Sequence, residues 1–174
     1  MRSDHRWLLV TGGNLLLLFL TVQLNHYLAA VPVSLFLFGV PISFAALRLN
    51  LPQGLTATAL TGLCYDTLTP FPLGSALILF SVAFTVIFAA RSQFHREEAY
   101  STIMVVLMGN LFLFASFTTI AMVTIGRGGY PANLIADLIL SQLVACLITG
   151  WFFSFQMALL ELFGINLEEE QREA

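Results

Sequence analysis

The fold of this chain is constrained above all by long apolar runs that contain no charged residue. Two examples are the stretches 7–20 and 103–117. Neither alternates between apolar and polar residues, as the strands of a membrane barrel do. In lipid every backbone N–H and C=O must be satisfied within the protein, so a non-alternating apolar run spans the bilayer as an α-helix. The runs therefore predict helices in a membrane.

Composition excludes a soluble fold and argues against nucleic-acid binding. The chain has 174 residues, of which 58% are hydrophobic and 10% are charged. A soluble domain carries about a quarter charged residues, and so little polar surface cannot cover an apolar core in water. The basic residues are all arginines and are scattered, so they form no patch for nucleic acid. Cys64 and Cys146 lie within apolar runs, and we interpret both as packing residues.

We predict an all-α integral membrane protein in which residues 1–174 form one membrane domain with six transmembrane helices. A helix needs about 20 residues to cross a bilayer core of about 30 Å, so the third run is short and the sixth is long. Pro41 lies inside the second run and is expected to kink that helix. The first run resembles a signal peptide, but no clear cleavage site follows it, so we interpret it as a retained span. The predicted spans cover about 7–24, 28–47, 54–68, 73–90, 102–125 and 134–163.

The arginines predict the orientation of these helices. Cytoplasmic loops of membrane proteins are enriched in Lys and Arg. If both termini of this chain are cytoplasmic, Arg127 alone lies outside, and the number of crossings is even, in agreement with six. The cytoplasmic arginines are then Arg2, Arg6, Arg48, Arg91, Arg96 and Arg172.

An aspartate interrupts the apolar sequence within the stretch GLCYDTLTPFPLG, which begins at Gly62 and contains Asp66. An ionised aspartate at mid-membrane costs about 2.5–3.5 kcal/mol on insertion scales, so this side chain should face the bundle interior. Pro70 and Pro72 are expected to end the third helix because they lack a backbone donor. With Gly74 opening the next helix, the stretch predicts a tight hairpin on the outer side, and Gly62 lets a neighbour approach the face that carries Asp66.

Asp137 and Arg127 are the candidate partners of Asp66. The predicted topology places all three near the outer face, although they come from distant parts of the chain. Three interpretations stay open: two acids at helix ends in the wet interface, an ionic or hydrogen-bonded latch that includes Arg127, or a site for a partner, ion or substrate.

The same residues carry a resemblance to a known family. The pattern Gly62-Leu63-x-x-Asp66, followed by Pro72-Leu73-Gly74 at the start of an apolar helix, resembles the signature of the bacterial rod shape-determining protein MreD family. The loop with Gln93-Phe94-His95-Arg96-Glu97 is also similar. The close resemblance covers about residues 55–98, and the rest of the chain agrees with the family in hydropathy.

The resemblance implies a multi-pass protein of the bacterial inner membrane that acts in cell elongation. Members of the family bind the bitopic protein MreC. Through it they connect the MreB filament to peptidoglycan synthesis by RodA and its transpeptidase partner. The resemblance also implies a fold similar to the substrate-binding membrane subunits of energy-coupling-factor transporters. The structural or partner-binding candidates are Gly62, Asp66, Pro72, Leu73, Gly74, Arg127 and Asp137.

The residues themselves indicate no enzyme and no cofactor. His5, His26 and His95 lie at span ends or in loops, and none has metal-ligand spacing to another ligand. No glycine-rich phosphate loop is present. Five serines within the spans have no histidine or acid nearby in sequence; they are Ser34, Ser43, Ser75, Ser81 and Ser116. We therefore predict no catalytic activity, no metal and no cofactor.

A small-molecule-binding subunit of an energy-coupling-factor type transporter is the alternative function. It predicts an enclosed polar cavity open to the outside near Asp66 and Asp137, whereas a scaffold predicts association with a single-span partner. An ion or proton pathway fits less well, because Asp66 and Asp137 share one level and Glu161 lies near the other end. Polar residues within the spans either hydrogen-bond between helices or line a cavity; they are Asn14, Gln23, Asn110 and Gln142.

Overall fold

A computed structural model describes residues 5–28, 30, 33–69, 71–93, 99–124 and 133–165 of the protein. These residues form six α-helices and a short 3-10 helix, with no strand among them, so the predicted all-α class is confirmed. The helices are α1 (Arg6–Leu28), α2 (Gly39–Arg48), α3 (Leu51–Leu68), α4 (Ser75–Ala90), α5 (Ala99–Thr124) and α6 (Leu134–Leu162), and the 3-10 helix covers Arg91–Gln93.

Three of the helices, α1, α5 and α6, are long and apolar enough to cross a membrane. Helix α4 is apolar as well but shorter. Many large apolar side chains on these helices point outward, and on α6 Ile135, Leu143 and Leu147 are 76%, 58% and 81% exposed. Such surfaces suit lipid, and the helices are therefore compatible with a membrane protein.

The second predicted span differs from the structure. We predicted a helix over 28–47, but Leu28 ends α1 and the segment 33–37 is not helical. Among residues 33–48, which the structure describes without a gap, the helix covers Gly39–Arg48. The prediction was wrong for 33–37 because apolar composition alone does not distinguish a helix from a non-helical chain whose backbone is hydrogen-bonded by other means.

Side chains from two helices satisfy the backbone of the extended segment 33–37. Asn25 on α1 accepts the Leu35 N–H at 2.7 Å and donates to the Leu35 carbonyl at 2.9 Å. On α6, Asp137 accepts the Ser34 N–H at 2.8 Å, and Ser141 accepts the Phe36 N–H at 2.9 Å. Alternate N–H groups thus point toward α6, as expected for an extended chain. Non-helical backbone at membrane depth is tolerated only where protein surrounds it in this way.

Helix α2 begins where the extended segment ends, and its first turn is also held by a side chain. The Gly39 N–H donates to Asn110 of α5 at 3.1 Å. Pro41 lies in this first turn, where its missing N–H removes no intrahelical bond. The predicted kink at Pro41 is therefore wrong, because the proline stands near a helix start rather than within a helix.

Polar side chains join α1, α3 and α6 inside the bundle. Asn14 donates to Thr61 of α3 at 3.3 Å and accepts from Gln156 of α6 at 3.2 Å. Gln142 donates to the Leu107 carbonyl of α5 at 3.2 Å. The hydrogen-bonding interpretation is thus confirmed for Asn14, Asn110 and Gln142, while Gln23 is exposed.

These contacts define two ends of the bundle. The N-terminal half of α1 lies beside the C-terminal half of α6, where Gln156 also approaches the Val10 carbonyl. Asn25 and Asp137 meet the segment 33–37 at the opposite end. The three arginines of the described residues lie at the first end: Arg6 opens α1, Arg48 closes α2, and Arg91 donates to the Leu49 carbonyl at 3.2 Å.

We expect Asn25→Leu to destabilise the fold, because it leaves both the N–H and the carbonyl of Leu35 without their partner. An unsatisfied buried backbone group costs about 1–3 kcal/mol, so the loss should be about 2 kcal/mol or more. The measurement is the free energy of unfolding in mixed micelles titrated with SDS. Gln23→Leu, on the exposed face of the same helix, is the matched control. Equal stabilities of the two variants would show that Asn25 does not hold the segment.

Candidate functional site

The carboxylate of Asp66 binds the N-terminus of the next helix. Its Oδ1 accepts the Ala76 N–H at 2.8 Å and the Ser75 hydroxyl at 3.2 Å. Its Oδ2 accepts the N–H groups of Gly74 at 2.9 Å and Leu77 at 3.2 Å. The side chain is 2% exposed, so these bonds replace water almost completely. Asp66 lies in the last turn of α3 and thus clamps α3 to α4.

The four N–H groups at the start of an α-helix have no partner within the helix. At α4 all four are accounted for. Asp66 accepts those of Gly74, Ala76 and Leu77, and the Pro72 carbonyl accepts that of Ser75 at 3.1 Å. Gly74, the residue at the N-cap, has no side chain to do this. The preceding helix supplies the cap instead, and the carboxyl oxygens of Asp66 face the positive end of the α4 dipole.

The residues between the helices form a turn whose third position, Gly74, favours glycine because its φ is positive. Pro72, Leu73, Gly74 and Ser75 make a four-residue turn closed by the bond from the Ser75 N–H to the Pro72 carbonyl. Gly74 has φ +93° and ψ −9°, the conformation at the third position of a type II turn. Leu73 is 78% exposed and contributes no buried contact. The predicted hairpin is present, and Pro72 and Gly74 set its geometry.

Gly62 brings the two helices close enough for the clamp. A methyl group built on Gly62 would lie 2.8 Å from both the Ala76 carbonyl oxygen and the Leu77 Cα. Carbon atoms normally meet at about 3.5–4.0 Å, so a side chain here would push α4 away from α3. Ala76 and Leu77 are also the residues whose N–H groups reach Asp66. Gly62 and Asp66 therefore act on the same turn of α4.

An aromatic cluster packs directly beneath this hairpin. We define it as Phe38, Tyr65, Phe80 and Phe117, one ring from each of four parts of the chain. The ring centroids of Phe38 and Tyr65 are 4.5 Å apart, and those of Tyr65 and Phe117 are 5.6 Å apart. Phe80 lies 5.3 Å from Phe38 and 6.0 Å from Phe117. Tyr65 and Asp66 are adjacent on α3. Packing of the Tyr65 ring in the aromatic cluster therefore helps to fix the position of the Asp66 carboxyl group against α4.

Asp137 occupies a different place from Asp66. It is 4% exposed and holds the Ser34 N–H of the extended segment, whereas Asp66 holds α4. The structure does not bring the two carboxylates onto a shared partner among the described residues. Arg127 lies outside the described residues, so the predicted ion pair with it stays a prediction. Each acid stabilises a different non-helical part of the backbone: Asp66 the turn before α4, and Asp137 the segment 33–37.

Several residues of this arrangement were missed from sequence. Ser75, Ala76 and Leu77 act mainly through their backbone, which no residue type reveals. Asn25 and Ser141 hold the extended segment and looked like ordinary polar residues of apolar helices. The only available signal for that segment was Pro32, since the residue before a proline is biased away from the helical conformation.

Comparisons of the chain with models of protein families, with curated proteins and with solved structures found no match.

We expect Asp66→Ala to lower the free energy of unfolding by about 3 kcal/mol, because the N–H groups of Gly74, Ala76 and Leu77 lose their acceptor. Asp66→Asn keeps the shape and one acceptor oxygen, so its loss should be smaller. SDS titration in micelles measures both. The control is Thr67→Ala, an exposed neighbour whose hydroxyl bonds only within α3. A variant Asp66→Ala as stable as Thr67→Ala would contradict the clamp.

A pair of glycine substitutions tests the close approach of α3 and α4. Gly62→Ala should destabilise the protein by about 1–3 kcal/mol, the usual cost of overpacking against backbone that cannot move aside. Gly12→Ala places the same methyl group where no atom lies within 4 Å. It should stabilise α1 by up to about 1 kcal/mol through helix propensity. In thermal unfolding of the purified variants, the melting temperature should fall for Gly62→Ala and rise for Gly12→Ala. A change in the same direction for both would argue against a tight α3–α4 contact.

Proposed function

We propose that this protein is a MreD-like, non-enzymatic component of the bacterial cell-elongation machinery in the inner membrane. In this role it binds MreC and helps couple MreB filaments to peptidoglycan synthesis by RodA and its transpeptidase partner. The observation that carries the proposal is that residues of the resemblance act on one local structure. Gly62 makes room for Ala76 and Leu77, Asp66 binds their N–H groups, and Gly74 adopts the turn that starts α4.

Gly62, Asp66 and Gly74 all act on the start of α4, which makes the resemblance to the MreD family more specific than a likeness in hydropathy. Apolar helices share composition easily, and a match in hydropathy alone carries little weight. The pattern of a glycine, an aspartate four residues later and a Pro-Leu-Gly turn is different, because each residue is needed for the others to make their contacts. A chain that keeps the whole pattern keeps a specific hairpin, and this supports membership in a family defined by it.

We further propose that six segments cross the membrane with both termini in the cytoplasm, in a fold resembling the substrate-binding subunits of energy-coupling-factor transporters. Helices α3 and α4 are short spans. The extended segment 33–37 and α2 together reach about 30 Å, at about 3.3 Å per extended residue and 1.5 Å per helical residue. They can therefore form one crossing. The location of Arg6, Arg48 and Arg91 at one end supports the cytoplasmic assignment of that end.

The packing favours a scaffold over the alternative, a small-molecule-binding subunit. That alternative needs a polar cavity near Asp66 and Asp137. Aromatic side chains pack in the space between the two acids. The Phe36 N–H donates to Ser141, one turn from Asp137 on α6. The ring centroid of Phe36 lies 5.1 Å from that of Phe38 and 5.9 Å from that of Phe117. Phe38 and Phe117 then meet Tyr65 beside Asp66. Both acids accept hydrogen bonds from the protein's own backbone, and this stabilises the fold.

Purification of the tagged protein from its host in mild detergent, followed by mass spectrometry, tests the proposal. We expect MreC to be enriched over a control preparation of another multi-pass protein with the same tag. RodA and its partner should follow at lower recovery, because their association is indirect. Recovery of an energy-coupling transmembrane subunit with its ATPases, in place of MreC, would overturn the scaffold function.

The glycine pair provides a matched control for this experiment. Gly12→Ala should recover MreC as the wild type does, since it adds a methyl group in open space. Gly62→Ala should recover less MreC per amount of folded protein if the α3–α4 hairpin supports the partner site. Equal recovery of MreC with both variants would show that the hairpin does not contribute to MreC binding. It would not contradict the binding of MreC by the protein.

A further inference from the structure

Helix α4 is bounded at both ends by groups that hydrocarbon excludes. At its start lies the turn 72–75, where Leu73 is exposed. Irregular backbone that faces lipid does not occur within the hydrocarbon region, so this turn lies at or beyond its edge. At the other end Arg91 follows Ala90, and its guanidinium lies 3.8 Å from the centre of the Phe88 ring. The apolar length of α4 is therefore no greater than the helix itself.

The helix between these two ends is shorter than the core of a bilayer. Ser75–Ala90 contains 16 residues, and none of them is charged. At 1.5 Å per residue they span about 24 Å, whereas the hydrocarbon core is about 30 Å thick, so about 6 Å of the core has no apolar partner on α4.

The outward face of α4 is apolar over this short length. Ile78, Val82 and Val86 follow one another at intervals of four residues, which places them on one face of the helix. They are 60%, 44% and 60% exposed. The stripe they form suits the acyl chains of lipid, and it extends no farther than the helix does.

Helix α4 cannot remove the mismatch by moving. A helix that is too long for a bilayer adapts by tilting, but tilting shortens the apolar length of a helix that is already too short. Both ends are also held: Asp66 binds the first turn, and Arg91 donates to the Leu49 carbonyl. The neighbouring helix α3 has 18 residues, or about 27 Å, and is short as well. The bilayer therefore has to adapt to the hairpin.

Helix α6 presents the opposite case. It has 29 residues and spans about 43 Å at 1.5 Å per residue. Large apolar side chains are exposed near both of its ends, at Ile135 and Leu162. Such a helix can match bilayers of different thickness by tilting. The protein thus offers lipid a short apolar surface on α4 and a long one on α6.

We propose that the protein thins the bilayer beside the α3–α4 hairpin, so that phospholipids with short acyl chains are preferred along α4. No such preference exists along α6. The inference rests on the proposed crossing of the membrane by α3 and α4, and it does not involve MreC.

Competition between lipids at two tryptophan reporters tests this inference in the purified full-length chain. The α4 reporter is Val82→Trp in a background of Trp7→Phe and Trp151→Phe. The α6 reporter is Trp151 itself, which is 57% exposed, in a background of Trp7→Phe. Each variant is reconstituted in dioleoylphosphatidylcholine with brominated chains, which quench tryptophan at contact. Unbrominated phosphatidylcholine is then mixed in, with either short dimyristoleoyl or long dierucoyl chains.

The loss of quenching gives the relative binding constant of each competing lipid at each reporter. At the α4 reporter we expect the short-chain lipid to bind about threefold more tightly than the long-chain lipid, because the long chains must be compressed there. At the α6 reporter the two binding constants should be about equal, since α6 adapts by tilting.

A pair of glutamine substitutions on α4 provides a matched control. Val86→Gln moves the polar end of the stripe about one turn inward and should increase the preference for short chains at the α4 reporter. Ala89→Gln adds the same side chain at an exposed residue beside the existing end, and it should leave the preference unchanged.

Three results would overturn the inference. Equal binding of both lipids at the α4 reporter would show that the bilayer is not thinned there, although quenching itself would still place α4 in lipid. The same preference at both reporters would show that the effect is not local to the hairpin. Absence of quenching at the α4 reporter would contradict the crossing by α4 as well. None of these results changes the recovery of MreC, which tests the scaffold function separately.

Discussion

The bond between one buried carboxylate and the first turn of α4 is the interaction on which the hairpin depends. A helix that starts within a membrane exposes N–H groups to a medium that cannot satisfy them. Here α4 starts after a glycine, so its own N-cap residue offers no side chain. Asp66 meets this need from the preceding helix, and its buried carboxyl group anchors the start of the next helix. The close approach at Gly62 is the steric condition for that bond.

The same physical requirement explains the other irregular part of the molecule. The extended segment 33–37 carries backbone groups that a helix would have satisfied internally. Asn25, Asp137 and Ser141 take over that role from two different helices. The two buried aspartates thus have parallel functions at the two places where the chain leaves the helical conformation. Each acid accepts backbone N–H groups, Asp137 that of Ser34 and Asp66 those of Gly74, Ala76 and Leu77, so both carboxyl groups stabilise backbone.

The interior and the outer faces of the bundle differ in polarity. Inside, several polar side chains bond to a neighbouring helix, as in the contacts from Asn14 to Thr61 and from Gln156 to Asn14. Others, such as Thr58 and Thr149, bond to a carbonyl of their own helix. The outer faces carry large exposed apolar side chains, such as Leu147 on α6, and are compatible with a lipid environment.

The sequence by itself determined the helical class and the position of the hairpin, and it predicted lipid as the solvent. Long uncharged runs that do not alternate with polar residues are compatible in lipid only with helices. Proline and glycine, here Pro72 and Gly74, favour a turn between two such helices. Only the tertiary structure decided what Asp66 and Asp137 bind, and that residues 33–37 are extended. Those outcomes depend on backbone N–H groups brought from distant parts of the chain. Every residue type except proline carries the same N–H, so the sequence cannot mark which of them a buried acid will meet.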